Sequence, residues 1–314
     1  MTDTDIKKII EPLGQGISVI YEIDEIIAEG QTEFQHYVIA DTPSYGRILF
    51  INSLIQSSEC DEALYHEPLI HPGVMLHGGP KRVLVAGAGE GSTLRELLKH
   101  DCVEEILTVD LDAQIVAACK QHLHAWHEGA WDDPRVTLRF EDIQDTLAKS
   151  ADGEWDMVVL DITDPVEEGP SVDLFTVQFY AEVARVLADD GVVTMQCGEL
   201  DPEDMRVCQT VRTTLGQVFP WVKIMPTYVP SFHSLWGLGI CAKRPLDVEP
   251  PGLAERIAAI EPRMRVYDIH THRALMHMPK LLREPLEAPG KIVTGAGADR
   301  LISYDVHGTG ILED

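Results

Sequence analysis

Two carboxylates three positions apart, Asp161 and Asp164, follow the apolar residues 158–160 in the stretch VVLDITDPVEEGP. Carboxylates so placed can take a proton from a nucleophile or hold a cationic amine, because a neighbouring negative charge favours the charged form of an ammonium group. Upstream, VLVAGAGEGSTLRELLKH runs from four apolar residues through Gly87, Gly89 and Gly91 into Leu94, Leu97 and Leu98 at helical spacing. This pattern predicts a strand, a tight turn and a helix, and marks the turn as a ligand loop. A dinucleotide fingerprint requires GxGxxG, whose third glycine lets the helix pack against the strand beside a pyrophosphate. Here the sixth position is Ser92, and the spacing GxGxG is the form common in folds that bind an adenosyl sulfonium.

The next two strands carry acids at the same edge. ILTVDLD ends at Asp110, where an acidic side chain can accept hydrogen bonds from both ribose hydroxyls, and the strand before EDIQD brings Asp142 to where it could accept from an adenine amine. Each acid alone fits a solvated turn better than a ligand site; three successive strands ending this way favour a nucleoside. Glu90 narrows the ligand further. A carboxylate in the loop would repel the carboxylate of S-adenosylmethionine and welcome a donor that has lost it and kept its amine, which describes decarboxylated S-adenosylmethionine. The alternative at this one position is a side chain turned outward into solvent.

These residues need a frame. GISVIYEIDEIIAEG, EFQHYVIADTPSYGRILFINS and LIQSSECDE read as strands and turns, so residues 1–62 are expected to form a small antiparallel β domain. EALYHEPLIHPGVMLHG is a helical stretch with Leu64, Leu69 and Ile70 on one face, opening a second domain over 63–250 in which strands and helices alternate. That alternation predicts an α/β fold with a doubly wound, Rossmann-like sheet of the methyltransferase type, whose ligands bind at the carboxyl ends of the strands. FYAEVARVLADDG is read as a helix ending at Gly191, and residues 251–314 as a helical extension and a tail without clear period.

The chain of 314 residues carries a net charge of −27, which disfavours nucleic acid and anionic lipid as partners and suits a neutral or cationic one. Acidity that serves solubility alone is the other reading of the charge. The longest apolar runs fall far short of the ~20 residues of a membrane helix, and the start, MTDTDIKKIIEPLG, lacks the pattern of a signal peptide. A cytoplasmic protein is expected, with no membrane partner. The 6 cysteines include no CxxC pair, which argues for reduced thiols. His122, His124 and His127, and His270 and His272, have spacings a metal could use, yet the chemistry read here requires none and no metal site is expected.

With these motifs in hand the chain resembles the polyamine aminopropyltransferases, the spermidine synthase family, in TEFQHYVI, GRILFINSLIQSSECDEALYHEPLIHP, VLVAGAGEGSTLRELLKH, VDLD, LDITDP, PTYVPSFHSLWG and DIHTHRALM. It departs where the family's GGGDG is GAGEG and where the glycine after the adenine-binding aspartate is Ile143. GEGS, the longer DPVEEGP and VPSF resemble the thermospermine synthase branch, whereas PTY, with Tyr228, resembles spermidine synthases, so putrescine and spermidine both stand as acceptors. The resemblance implies a small-molecule reaction without a bound prosthetic group: a polyamine amine attacks the aminopropyl carbon of decarboxylated S-adenosylmethionine, and 5'-methylthioadenosine leaves. It implies Asp161 as the group that takes the proton or orients the amine, with Tyr65 in support. Gln35, Glu90, Asp110 and Asp142, together with the loop at Gly87 and Gly89, would hold the donor between the apolar walls Ile143 and Pro170. His66, Asp164 and Tyr228 would bind the acceptor in a slot lined by Trp236, although Tyr228 and Trp236 equally suit core packing. A homodimer is also implied. A methyltransferase is the rival enzyme, opposed by Glu90 and the two acids of DITDP, and a noncatalytic adenosyl-binding scaffold is the rival outside enzymes.

Overall fold

The structure, a computed structural model, describes residues 7–14, 17–87, 89–166, 169–202, 204–295, 300–303 and 310–312. Ala88, Glu167 and Glu168, which belong to the loop and to the lengthened DPVEEGP segment, lie outside the described residues.

The chain begins in antiparallel strands: β1 (Lys7–Gly14) pairs with β2 (Ile17–Ile23), and β3 (Glu25–Gln31), β4 (His36–Thr42), β5 (Gly46–Ile51) and β6 (Leu54–Ser58) form a four-stranded meander. Asn52 and Ser53 join β5 to β6 with φ of 51° and 64°, and positive φ at both central residues is the geometry whose twist matches that of the flanking strands. This hairpin delivers Ser57 to the ligand loop.

Helix α1 (Glu62–His77) follows, and it is buried almost all round rather than on the single face expected from Leu64, Leu69 and Ile70. The reason is that strands of the main sheet and three other helices pack around it. Pro68 lies inside it and cannot donate to the carbonyl of Leu64; Thr227 Oγ1 donates to that carbonyl instead, at 2.7 Å.

The main sheet is built from β7 (Arg82–Gly87), α2 (Ser92–Leu98), β8 (Glu105–Asp110), α3 (Ala113–His122), α4 (His124–His127), β9 (Val136–Phe140), α5 (Ile143–Lys149), β10 (Trp155–Asp161), α6 (Val177–Val186), β11 (Leu187–Glu199), α7 (Arg206–Leu215), β12 (Trp221–Val229) and β13 (Ser234–Ala242). Its order is β12-β13-β11-β10-β7-β8-β9, parallel except for β13, which runs antiparallel to both neighbours. On β7, Val83 and Val85 enter one apolar layer with α1, and Leu84 and Ala86 enter the other with α6 and α7. Burial on both faces is why these strands read as unbroken apolar runs. The sheet is Rossmann-like α/β with antiparallel strands before it. One boundary differs from expectation: α6 ends at Val186, because Leu187 turns extended and Leu187–Glu199 continues as one strand.

Beyond the sheet lie α8 (Leu253–Ile260), α9 (Ile269–Leu275) and α10 (Lys280–Glu287), and β14 (Gly310–Leu312) returns to pair with β1. Part of the tail thus extends the N-terminal sheet. No helix among the described residues is long and apolar enough to cross a membrane.

Candidate functional site

The strand order reverses between β7 and β10, and Gly87 pairs directly with Asp161 at their carboxyl ends. A crevice opens outside such a switch point. The loop fits only glycine at its start: Gly87 has φ of 84°, and a Cβ there would lie 2.0 Å from the Asp161 carbonyl oxygen. Gly91, also at φ 84°, would push a Cβ to 2.6 Å from the Trp131 indole nitrogen.

Into the crevice opens a cavity of about 190 Å³, lined by Gln35, Tyr65, His66, Gly87, Gly89, Glu90, Asp110, Asp142, Ile143, Asp161 and Pro170 among others. Asp110, at the end of β8, accepts from the Asp112 backbone N–H at 2.9 Å; burial pushes its carboxyl up to about 6 against that hydrogen bond. Asp142 caps α5, accepting from the Gln144 backbone N–H at 2.8 Å. Gln35 is held by Asp112, to which its Nε2 donates at 3.1 Å and Thr32 Oγ1 donates at 2.6 Å. Asp112 and Thr32 were not singled out by the sequence; the only signal was the second acid of VDLD.

Glu90 is turned inward. Its Oε2 accepts from Ser57 Oγ at 2.8 Å and lies 3.9 Å from His66 Nε2, and Trp126 Nε1 fixes the serine from behind at 2.5 Å. Burial pushes Glu90 up to about 7, against the lowering effects of His66 and Ser57. Asp161 has both carboxylate oxygens engaged: Tyr65 Oη donates to Oδ1 at 2.9 Å, and Thr93 Oγ1, on the first turn of α2, donates to Oδ2 at 2.6 Å. Thr93 is a site residue that sequence reasoning missed, since a threonine after a glycine loop reads as an ordinary helix start.

Asp164 points elsewhere, into a second cavity of about 20 Å³ that it shares with Glu11, Glu199, Phe232 and Trp236. That is room for one water-sized group. Gln196 Nε2 donates to Asp164 Oδ1 at 3.1 Å, and Tyr21 Oη and the Ile55 backbone N–H both donate to Glu11, each at 2.9 Å. Burial pushes Asp164 up to about 6 and Glu11 and Glu199 up to about 7. Trp236 lies on the cavity wall, and its indole N–H has no hydrogen-bond partner among the described residues. Neither Glu11 nor Glu199 was legible: one comes from the first strand and the other from the far end of β11.

Two expected site residues stand elsewhere. Tyr228 is 55 % exposed and lines neither cavity, because Thr227 pairs with the inward Trp236 and successive residues of β12 face opposite ways. His66 lies beside Glu90 in the first cavity, whereas Asp164 lines the second. Of the histidine clusters, His272 is tied to Tyr267 Oη and the Val248 carbonyl, and His127 to the Lys120 carbonyl. Among the described residues no group of three His, Cys, Asp or Glu is arranged to hold a metal.

The raised carboxyls carry a stability signature. Glu11, Glu90, Asp110, Asp164 and Glu199 are shifted to about 6 to 7 in the fold, above the ordinary ~3.9–4.3, so the stability their protonation supplies is complete below pH ~4 and is lost as pH rises through 6 to 7. His66 is pulled down by burial but pushed up more by Glu62, to about 9, so its contribution is complete below pH ~6.5 and lost as pH rises through 9. The thermal midpoint is therefore expected to fall between pH 6 and pH 9, at about 2–4 °C per kcal/mol lost. Scanning calorimetry across that interval checks this, and a midpoint that rises contradicts it.

Comparison with known proteins places the site in context. Residues 62–249 match the spermine/spermidine synthase domain, and residues 7–59 match the spermidine synthase tetramerisation domain. The polyamine aminopropyltransferase of Aeropyrum pernix is 34 % identical over 286 residues, covering 88 % of this chain and 90 % of the relative. Polyamine aminopropyltransferase 2 of Hyperthermus butylicus is 36 % identical over 283 residues, covering 88 % and 92 %. A spermidine synthase crystallised with the transition-state analogue AdoDATO superposes with a TM-score of 0.83 at 25 % identity, covering 91 % of this chain and 96 % of that one. The spermidine synthase of Thermotoga maritima gives a TM-score of 0.80 at 26 % identity, covering 90 % and 94 %.

Proposed function

The chain belongs to the spermidine synthase family of polyamine aminopropyltransferases, and we propose that it moves the aminopropyl group of decarboxylated S-adenosylmethionine to spermidine, giving a thermospermine-type tetraamine and 5'-methylthioadenosine. One observation carries the reading: Asp161 lines a chamber walled by the nucleoside-type acids and Glu90, and Asp164, three positions on, lines a second chamber walled by three carboxylates. In the first, Asp110 and Asp142 hold the ribose and adenine, Ile143 and Pro170 enclose the base, and Glu90 takes the donor's ammonium group. In the second, Asp164, Glu11 and Glu199 take the acceptor's far ammonium group beside Trp236, whose ring face attracts a cation.

The reaction then runs at Asp161. An alkyl ammonium group with a pKa near ~10.4 is protonated at neutral pH and cannot attack. Asp161, aligned by Tyr65 and Thr93, accepts its proton. The freed lone pair forms the new N–C bond as the C–S bond breaks, and the sulfonium becomes a neutral thioether. Holding both reactants in line supplies the remainder.

Spermidine rather than putrescine is favoured because GEGS, DPVEEGP and VPSF lean that way, whereas Tyr228, the one feature leaning toward putrescine, faces solvent. A methyltransferase is disfavoured by Glu90, which would meet the donor's carboxylate. We also propose that the protein acts in the cytoplasm, that residues 63–250 form the catalytic unit, and that residues 7–59, by their match to a tetramerisation domain, build an oligomer of which the dimer is the smallest form.

Mass spectrometry of mixtures containing the decarboxylated donor and, separately, putrescine, spermidine, agmatine or cadaverine tests the acceptor. Spermidine is expected to give a tetraamine with the highest kcat/KM. Turnover of putrescine alone would overturn the acceptor, and methylthioadenosine from none of them would overturn the enzyme class.

A further inference from the structure

Behind the donor loop lies a group of buried charges that the transfer described above leaves unused. His66, 4 % exposed on α1, places Nε2 3.9 Å from Glu90 Oε2. Its Nδ1 lies 2.8 Å from the carbonyl oxygen of Glu62 and 3.2 Å from Glu62 Oε2. Glu62, 2 % exposed, in turn accepts from Arg95 Nη2 at 2.7 Å and from Arg265 Nη1 at 2.6 Å.

The ring's charge follows from its partners. A carbonyl oxygen only accepts, so Nδ1 must carry a proton; a neutral ring would then turn the lone pair of Nε2 toward the Glu90 carboxylate. A second proton on Nε2 removes that repulsion and replaces it with attraction. We propose that Glu62 and His66 are a positioning pair for the donor site: Glu62 holds His66 as a cation against Glu90, and that cation keeps Glu90 ionised in the empty pocket, so the pair sets how far toward acid pH the donor's ammonium group is recognised. The inference rests on the donor reading above and goes past it, since it moves His66 from the acceptor to the control of Glu90.

The surroundings of Glu90 make the cation necessary. Ser57 donates to it from β6, and His66 faces it from α1. Against these stand Asp161 from β10 and Glu62 behind His66, both of which raise it; Tyr65 on α1 and Cys119 on α3 are the other titratable groups that sense its charge. Burial holds Glu90 at about 7 even with His66 in place. Burial pulls His66 down, but the hydrogen bond and charge of Glu62, and then Asp161 and Glu90, push it up to about 9. His66 itself, and then Arg95, hold the Glu62 carboxyl below its ordinary value against its burial, so the series Arg95, Glu62, His66, Glu90 alternates in sign.

His66→Gln in the full chain tests the pair, with two readouts. In the pH profile of kcat/KM for the decarboxylated donor, the acid limb is expected to move up by about one unit, so that the donor KM rises ~5-fold at pH 7, approaches ~10-fold below pH 6, and the difference closes toward pH 9 as Glu90 ionises. A loss that is uniform across pH marks a merely structural role and overturns the proposal. Independently, ¹⁵N spectra of the wild-type histidines, with the His66 signals identified by their absence from the variant, should show both ring nitrogens protonated at pH 7.5. A neutral His66 overturns the proposal whatever the activity of the variant. Absence of methylthioadenosine from the wild type overturns the donor reading and the ligand named here, while the nitrogen spectra judge the charge pair by themselves.

Discussion

Asp161→Asn lowers kcat by about 10²- to 10⁴-fold, the usual range for removal of a proton-transfer group, while calorimetric affinity for methylthioadenosine stays close to wild type. The two readouts separate because of where Asp161 sits. It pairs with Gly87 at the end of β10, in the part of the cavity next to Tyr65 and Thr93, whereas the acids assigned to the nucleoside, Asp110 and Asp142, stand at or just past the ends of other strands. Asparagine preserves the shape and can still accept through its oxygen from Tyr65 or Thr93, but its amide cannot take a proton from an ammonium group. Retention of most of the activity would mean that Asp161 only orients a neutral amine. Loss of methylthioadenosine binding alongside turnover would mean that the substitution disturbs the glycine loop, whose first residue touches the Asp161 backbone.

Asp164→Asn raises the acceptor KM by about 10- to 100-fold, the ~1.5–3 kcal/mol of a hydrogen bond to a charged group, and leaves the donor KM unchanged. Asp164 lines the second cavity and is absent from the first, so its effect falls on one substrate. Glu11 and Glu199 remain in the variant, which limits the loss. The wild-type acceptor affinity should also weaken as pH falls through 7 to 6, because burial raises all three carboxyls to about that range and protonation removes the attraction. Initial rates against varied acceptor at pH 6, 7 and 8 measure both effects. An equal rise in donor KM would show that the two cavities do not divide the substrates as assigned here.

The parts of this site that could be read from the sequence are those fixed by local pattern. Strands buried on both faces are written as apolar runs, so their ends are legible, and Asp110 and Asp161 stand at those ends; Asp142 follows the edge strand β9 and caps α5. The glycine loop was legible because positive φ and close backbone approach admit little else at Gly87. What escaped depends on which distant segments meet. Glu11 reaches the second cavity only through the folding of β1, and Thr93 matters only because α2 points it at Asp161. The resemblance put His66 with the acceptor, yet on α1 its ring lies beside Glu90, one position and about 100° around the helix from Tyr65, which donates to Asp161. Tyr228 is the same lesson on a strand, where a single step reverses the face. The expected end of a helix at Gly191 failed because Leu187 is buried in the sheet, and that tertiary contact outweighs local helix preference.

The most direct test of aminopropyl transfer uses decarboxylated S-adenosylmethionine carrying ¹³C in its three propyl carbons, incubated with purified protein and spermidine and followed by mass spectrometry. The account predicts equal molar amounts of unlabelled methylthioadenosine and a tetraamine three mass units heavier than its unlabelled form. Label that stays on the nucleoside product, or a methylated amine in place of the tetraamine, would contradict it.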